Sequence, residues 1–153
     1  MEAVIFVGLQ ASGKSTFYRY QFSRTHLPIS LDMLKTRSRE KLLLNAAIDA
    51  KQPIVIDNTN ITVEQRLKYI KKLKAAKFKV VVYYFEPDFN KSVEQNKNRK
   101  NSVPIVAIKA TVKKLEPPSY KEGFDVIYSV KTDDGDFITN KLDKPIDVIE
   151  IAS

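Results

Sequence analysis

The residues Gly8-Leu9-Gln10-Ala11-Ser12-Gly13-Lys14-Ser15 satisfy every fixed position of the pattern G-x-x-x-x-G-K-[S/T]. The glycines permit a tight loop whose backbone N–H groups converge on phosphate oxygens. A helix opening at Lys14 adds the partial positive charge of its N-terminus. Lys14 is expected to neutralise the β- and γ-phosphates of ATP, Ser15 to bind Mg²⁺ and Thr16 to touch the α-phosphate. The candidate ATP-binding residues are therefore Gly8, Gln10, Ala11, Ser12, Gly13, Lys14, Ser15 and Thr16, with Ser15 as the metal ligand. A glycine-rich turn that binds nothing is the bland alternative, and it does not explain why the whole motif stands between a strand and a helix.

Three further groups can act on the phosphate acceptor. Asp32 ends the short segment Ser30-Leu31-Asp32, where a carboxylate can take a proton from an attacking hydroxyl or merely cap a helix. Asp57, Asn58, Thr59 and Asn60 follow an apolar run and hold more polar groups than a turn requires. Arg99 closes Gln95-Asn96-Lys97-Asn98-Arg99 ahead of a polar stretch at 100–103 that reads as mobile. A cation on such a segment can close over a γ-phosphate, or simply complement a helix dipole. The lone His26 near the end of the first helix reads as a surface residue.

Positioning these groups requires strands that alternate with helices. The sequence predicts strands over Glu2–Val7, Pro28–Leu31, Ile54–Ile56, Lys79–Phe85 and Phe124–Val130, with Asp134-Gly135 turning the last into Phe137–Thr139. It predicts helices from Lys14, with Phe17, Tyr18, Tyr20 and Phe22 as the apolar side, and from Asp32 to about Ala50. Further helices follow over Thr62–Ala76, from Asp88 or Asn90 through Arg99, and after Pro104. Thr62 and Gln65 have capping-box spacing; Val63, Leu67, Ile70 and Leu73 recur at helical spacing, as do Ile105, Ile108, Val112 and Leu115. This alternation gives a parallel sheet covered on both faces, and such sheets bind ligands beyond their carboxyl edge.

Composition narrows the function. The chain has 153 residues, no Cys, one His and a net charge of +8. A disulfide scaffold, cysteine chemistry and a His-based zinc site are excluded or disfavoured. No apolar run approaches a membrane span, and Glu2 stands where a secretory signal would be basic, so a cytoplasmic protein without membrane association is expected. Residues 64–114 hold 14 Lys+Arg against 4 Asp+Glu, whereas residues 115–153 hold 4 against 9. The middle third is thus a candidate surface for a polyanion, although Lys-rich helices are also often merely solvated.

In combination these residues resemble the kinase domain of the 5′-hydroxyl polynucleotide kinases. Gly8–Thr16 is similar to that family's phosphate loop, Asp32 to its acceptor-activating aspartate, and Ile56–Asn60 to its I-D-N-T-N segment. Asn96–Arg99 followed by Val103-Pro104 is similar to its N-x-x-R lid, and Glu116–Phe124 is a weaker fifth match. The resemblance covers residues 1–130 and leaves 131–153 as an unassigned C-terminal extension of a single domain, 1–153. It implies an α/β P-loop NTPase-type three-layer sandwich with a central, mostly parallel sheet. It implies an ATP- and Mg²⁺-dependent phosphotransferase acting on nucleic acid 5′ ends, as in nucleic-acid repair. Lys14, Asp32 and Arg99 would be catalytic; Lys35, Arg37, Asp57, Asn58, Thr59 and Asn60 would hold the acceptor. The family often has Arg three residues after its catalytic Asp, whereas here Lys35 stands there and Arg37 two further on. Lys lacks the bidentate fork, which keeps a kinase for a small-molecule hydroxyl as the alternative. A nucleotide-binding module without chemistry would not need Asp32 or Arg99. Among the basic side chains, Lys35 and Arg37 are expected nearest the acceptor, and Lys68, Lys71 and Lys72 on a more distant helix side.

Overall fold

The computed structural model describes residues 1–99, 102–133 and 135–145. Six strands form one sheet: β1 (Glu2–Val7), β2 (Leu27–Ile29), β3 (Ile54–Ile56), β4 (Lys79–Phe85), β5 (Val126–Asp133) and β6 (Asp136–Lys141). Their order is β2-β3-β1-β4-β5-β6, with the first five parallel and β6 antiparallel to β5. The central strands are apolar at consecutive positions because both faces are covered. Ala3, Ile5 and Val7 of β1 enter one core with Leu44, Tyr69, Ile70 and Leu73. Val4 and Phe6 enter the other with Phe17, Phe22, Phe85 and Val130.

Among the described residues six α-helices pack around the sheet: α1 (Lys14–Gln21), α2 (Leu31–Leu34), α3 (Arg37–Asp49), α4 (Val63–Ala75), α5 (Phe89–Lys97) and α6 (Ile105–Lys114). The expected helix from Asp32 to Ala50 is two helices. Lys35 takes a positive φ of 73° and ends α2, and the Thr36 hydroxyl accepts from the Arg39 N–H to start α3. Asp32 is therefore not an N-cap: Ser30 holds that position, and Asp32 lies in the first turn of α2. Helix α5 is capped by Asp88 and stops at Lys97, short of Arg99.

Some expected core positions face water. Tyr20 is 77% exposed, and Val63, Leu67, Ile105 and Val112 are exposed as well, while Arg66 is fully buried. The β5–β6 hairpin pairs Asp133 with Asp136 and is longer than the predicted Phe137–Thr139 return. Among the residues expected to form a mobile segment or the acidic extension, 100, 101, 134 and 146–153 lie outside the described residues.

Candidate active site

The carboxyl ends of β1, β2 and β3 deliver the phosphate loop, Asp32 and Asp57 to one side of the sheet. They open onto a single cleft of about 580 Å³, lined also by Arg37, Asn58, Thr59, Asn60, Gln95, Arg99 and Val103. A cleft of this size accommodates a nucleotide-sized ligand.

The loop is shaped by two glycines that no other residue replaces easily. A Cβ on Gly8 would stand 2.9 Å from the Cβ of Phe85, so the loop leaves β1 in direct contact with β4. Gly13 has φ of +92° and stacks on the Phe137 ring, which would meet a Cβ at 3.2 Å. Phe137 also packs edge-on against Phe17, 5.2 Å between centroids. Strand β6, expected from sequence only as a short return over Phe137–Thr139 with no role, thus braces the phosphate loop. The Gly8 N–H donates to the Thr59 carbonyl at 3.0 Å, tying the loop to the segment after β3.

Lys14 is buried, and its Nζ donates to the carbonyls of Leu9 (2.6 Å) and Gly8 (3.1 Å). Burial pulls its pKa down to about 8, against the attraction of Asp57 and then Asp32, with Arg99 adding repulsion. Asp57 is moved the other way: burial raises it, and Lys14 opposes that shift. Arg99 Nη2 lies 3.9 Å from Asp32 Oδ2, and Asp32 itself is 90% exposed to the cleft. Two cations and two carboxylates from four separate segments are therefore in electrostatic contact around one space. Helix α1 offers the exposed Ser15 hydroxyl to the same space.

The segment after β3 divides its work. All four residues line the cleft, and the two asparagines also brace its walls. Asn58 is bonded at both ends of its amide: Oδ1 accepts from the Leu31 N–H (2.9 Å), and Nδ2 donates to Glu40 (2.9 Å). Asn60 is buried at a φ of 47° and donates to the Phe6 carbonyl at 2.8 Å. These two asparagines fix strand ends while lining the cleft. Lys35 is exposed and does not line the cleft. Arg37 does, and its Nη1 donates to Glu40 (3.1 Å) and to the Tyr69 hydroxyl (3.0 Å).

Two positioning groups, Glu40 and Arg66, escape the sequence reading, and a third, Asn96, enters it only as the start of the N-x-x-R segment. Glu40 is a buried carboxylate that accepts from Tyr69 (2.7 Å), Asn58 and Arg37 together. Arg66 donates to both oxygens of Glu122 (2.7 and 3.1 Å) and to the carbonyls of Asn60 and Glu116. That arrangement satisfies a charge at zero exposure and pins the weakly matched segment 116–124 to the loop after β3. Asn96 bonds the Val103 backbone twice, to its carbonyl at 2.6 Å and from its N–H at 2.8 Å, which closes the loop carrying Arg99. The N-x-x-R spacing marks this Asn in the sequence, and the structure shows the clip it makes.

A family model described as an AAA domain (AAA_33) matches residues 4–118, a span that contains all of these groups except Glu122 and Phe137. The chain belongs to this AAA-domain family. Its residues 8–15 carry the phosphate-loop motif within the matched span. A curated relative, the bifunctional polynucleotide phosphatase/kinase of Schizosaccharomyces pombe (strain 972 / ATCC 24843), is 28% identical over 140 residues. The match takes in 84% of this chain and 33% of that protein, so the chain spans about a third of the relative's length. Among solved structures, Chaetomium thermophilum Kti12 in complex with ADP-AlF3 superposes with a TM-score of 0.65 at 21% identity, over 86% of this chain and 90% of that one. A gluconokinase from Sinorhizobium meliloti 1021 superposes with a TM-score of 0.62 at 15% identity, over 85% and 82%. At these identities the two structures establish the P-loop NTPase fold. Among the described residues no helix is long and apolar enough to cross a membrane.

Proposed function

We propose that this domain transfers the γ-phosphate of ATP to the 5′-hydroxyl end of a nucleic acid. The observation that carries the proposal is the placement of Asp32 and Arg99, 3.9 Å apart, at the cleft that also holds Lys14 and Asp57. Asp32 is exposed where an acceptor hydroxyl enters. It takes the hydroxyl proton as that oxygen bonds to the γ-phosphorus, while the β–γ bridging oxygen leaves with its electron pair on ADP. Lys14 and the N–H groups at the start of α1 hold the phosphates, and Arg99 balances charge on the group in transit.

The donor set suits Mg²⁺. Among the described residues no three His, Cys, Asp or Glu side chains converge on a metal position, and Mg²⁺ is usually held by one or two carboxylates plus substrate phosphates. Ser15 and Asp57 would hold it, and the burial that raises Asp57 is relieved by a cation. When bound, Mg²⁺ would supply neutralisation of the β- and γ-phosphate oxygens.

The nucleic-acid acceptor is supported by the named activity of the Schizosaccharomyces relative, by the Ile56–Asn60 and Asn96–Arg99 segments, and by the basic middle third. Labelled ATP offered with 5′-OH oligonucleotides, nucleosides and sugars tests the acceptor. Oligonucleotides are expected to give a kcat/KM at least about 100-fold above any nucleoside or sugar. A sugar or nucleoside as the best acceptor would replace the proposal with a small-molecule kinase.

A further inference from the structure

Helices α3 and α4 lie side by side and both begin at the cleft, whose lining includes Arg37 in the first turn of α3 and Gln65 in the first turn of α4. Two contacts fix which sides face each other. Arg37 Nη1 donates to the Tyr69 hydroxyl, and further along Lys72 Nζ donates to Asn45 Oδ1 at 2.8 Å. Arg37, Lys41 and Asn45 form one i, i+4 row on α3, so Lys41 stands between two residues that both face α4. On α4 the facing row runs Glu64, Lys68 and Lys72, so it turns basic one step in from the cleft. The Lys68 ammonium lies over the Tyr69 ring, 5.0 Å from its centroid, and the hydroxyl of the same tyrosine accepts from Arg37. Lys41, Lys68 and Lys72 are exposed, and Arg37 is half-exposed.

The seam between the helices is therefore a cationic track that starts at the acceptor end of the cleft. Each step along a row is about 6 Å. Glu40, the carboxylate beneath the track, is buried and already bonded to Arg37, Tyr69 and Asn58. Asp49, the next position of the α3 row, ends the basic run.

We propose that the phosphates following the 5′-terminal nucleotide of a single-stranded acceptor lie along this seam, on Lys41, Lys68 and Lys72. The proposal rests on the polynucleotide reading above and extends it, because it fixes the direction in which the strand leaves the site. It also brings Lys68 and Lys72, expected from sequence to be remote, into line with Arg37.

The test compares the wild-type chain with the triple variant Lys41→Glu, Lys68→Glu, Lys72→Glu on two acceptors, a 5′-OH decanucleotide and a nucleoside 3′-monophosphate. Each phosphate contact on a single strand contributes roughly −0.7 to the slope of log K against log[salt], so three contacts contribute about −2. The variant is expected to raise KM for the decanucleotide at least about tenfold at low salt and to flatten its salt slope by about 2. Turnover of the nucleoside 3′-monophosphate should be unchanged, which also shows that the variant is folded. If the wild type uses the decanucleotide and the variant keeps its KM and slope, the track is wrong while the polynucleotide reading stands. If the wild type phosphorylates no oligonucleotide, both fall together.

Discussion

Lys14 gives the most direct handle at the residue scale. Its burial against loop carbonyls brings its pKa to about 8 in the free protein. As pH rises through that value the ammonium loses its proton and with it the attraction for phosphate. The value of kcat/KM for ATP should therefore fall above about pH 8, since that parameter reports groups of the free enzyme. Bound phosphates favour the charged form, so kcat at saturating ATP should hold to higher pH. A kcat/KM profile flat to pH 9.5 would show that Lys14 is not depressed. Stability has a matching sign: the folded state binds the Lys14 proton less tightly than the unfolded chain, whose value is near 10.5. Lys14 therefore opposes folding below about pH 8, and that opposition fades as pH rises towards 10.5. Lys14→Met should accordingly raise Tm at pH 7 while abolishing phosphate transfer, and a lowered Tm would contradict the burial argument.

At the scale of elements, positions depend on clips that join segments distant in sequence. Asn96 holds Val103 from both sides and so sets where Arg99 starts. Asn96→Ala should lower kcat about 10- to 100-fold through misplacement of that arginine and leave ATP affinity nearly unchanged. In the Arg99→Ala background the same change should cost almost nothing further, which a double-mutant cycle measures. Additive losses would assign Asn96 a purely structural part.

The strands, the phosphate loop and the caps at Thr62 and Asp88 were legible because each is written in adjacent residues. The break at Lys35 was not, since a lysine at φ of 73° carries no local signature. Arg66 reads as one more cation on a lysine-rich helix; its burial is made tolerable by Glu122, 56 residues away in sequence, together with the carbonyls of Asn60 and Glu116. Phe137 supports Gly13 from a strand beyond the recognisable motifs, a contact that only the assembled sheet creates.

For the whole molecule, sheet order converts a linear set of motifs into one reaction space. Strand β1 lies between β3 and β4, and β2 lies beyond β3, so Lys14, Asp57 and Asp32 emerge on neighbouring strands. Arg99 arrives from the other side through the loop after α5. This convergence sets the exposed Asp32 beside Arg99 and the phosphate loop. Asn at that position preserves size and most hydrogen bonding but cannot accept the proton. The deciding measurement is single-turnover transfer of γ-labelled phosphate to a 5′-OH oligonucleotide by the wild-type chain and by Asp32→Asn. The wild type should place the label in a 5′-phosphomonoester, and the variant should do so about 10²- to 10⁴-fold more slowly with unchanged Tm and ATP affinity. Equal rates would remove Asp32 from the chemistry, and no transfer by the wild type would remove the 5′-hydroxyl as its acceptor.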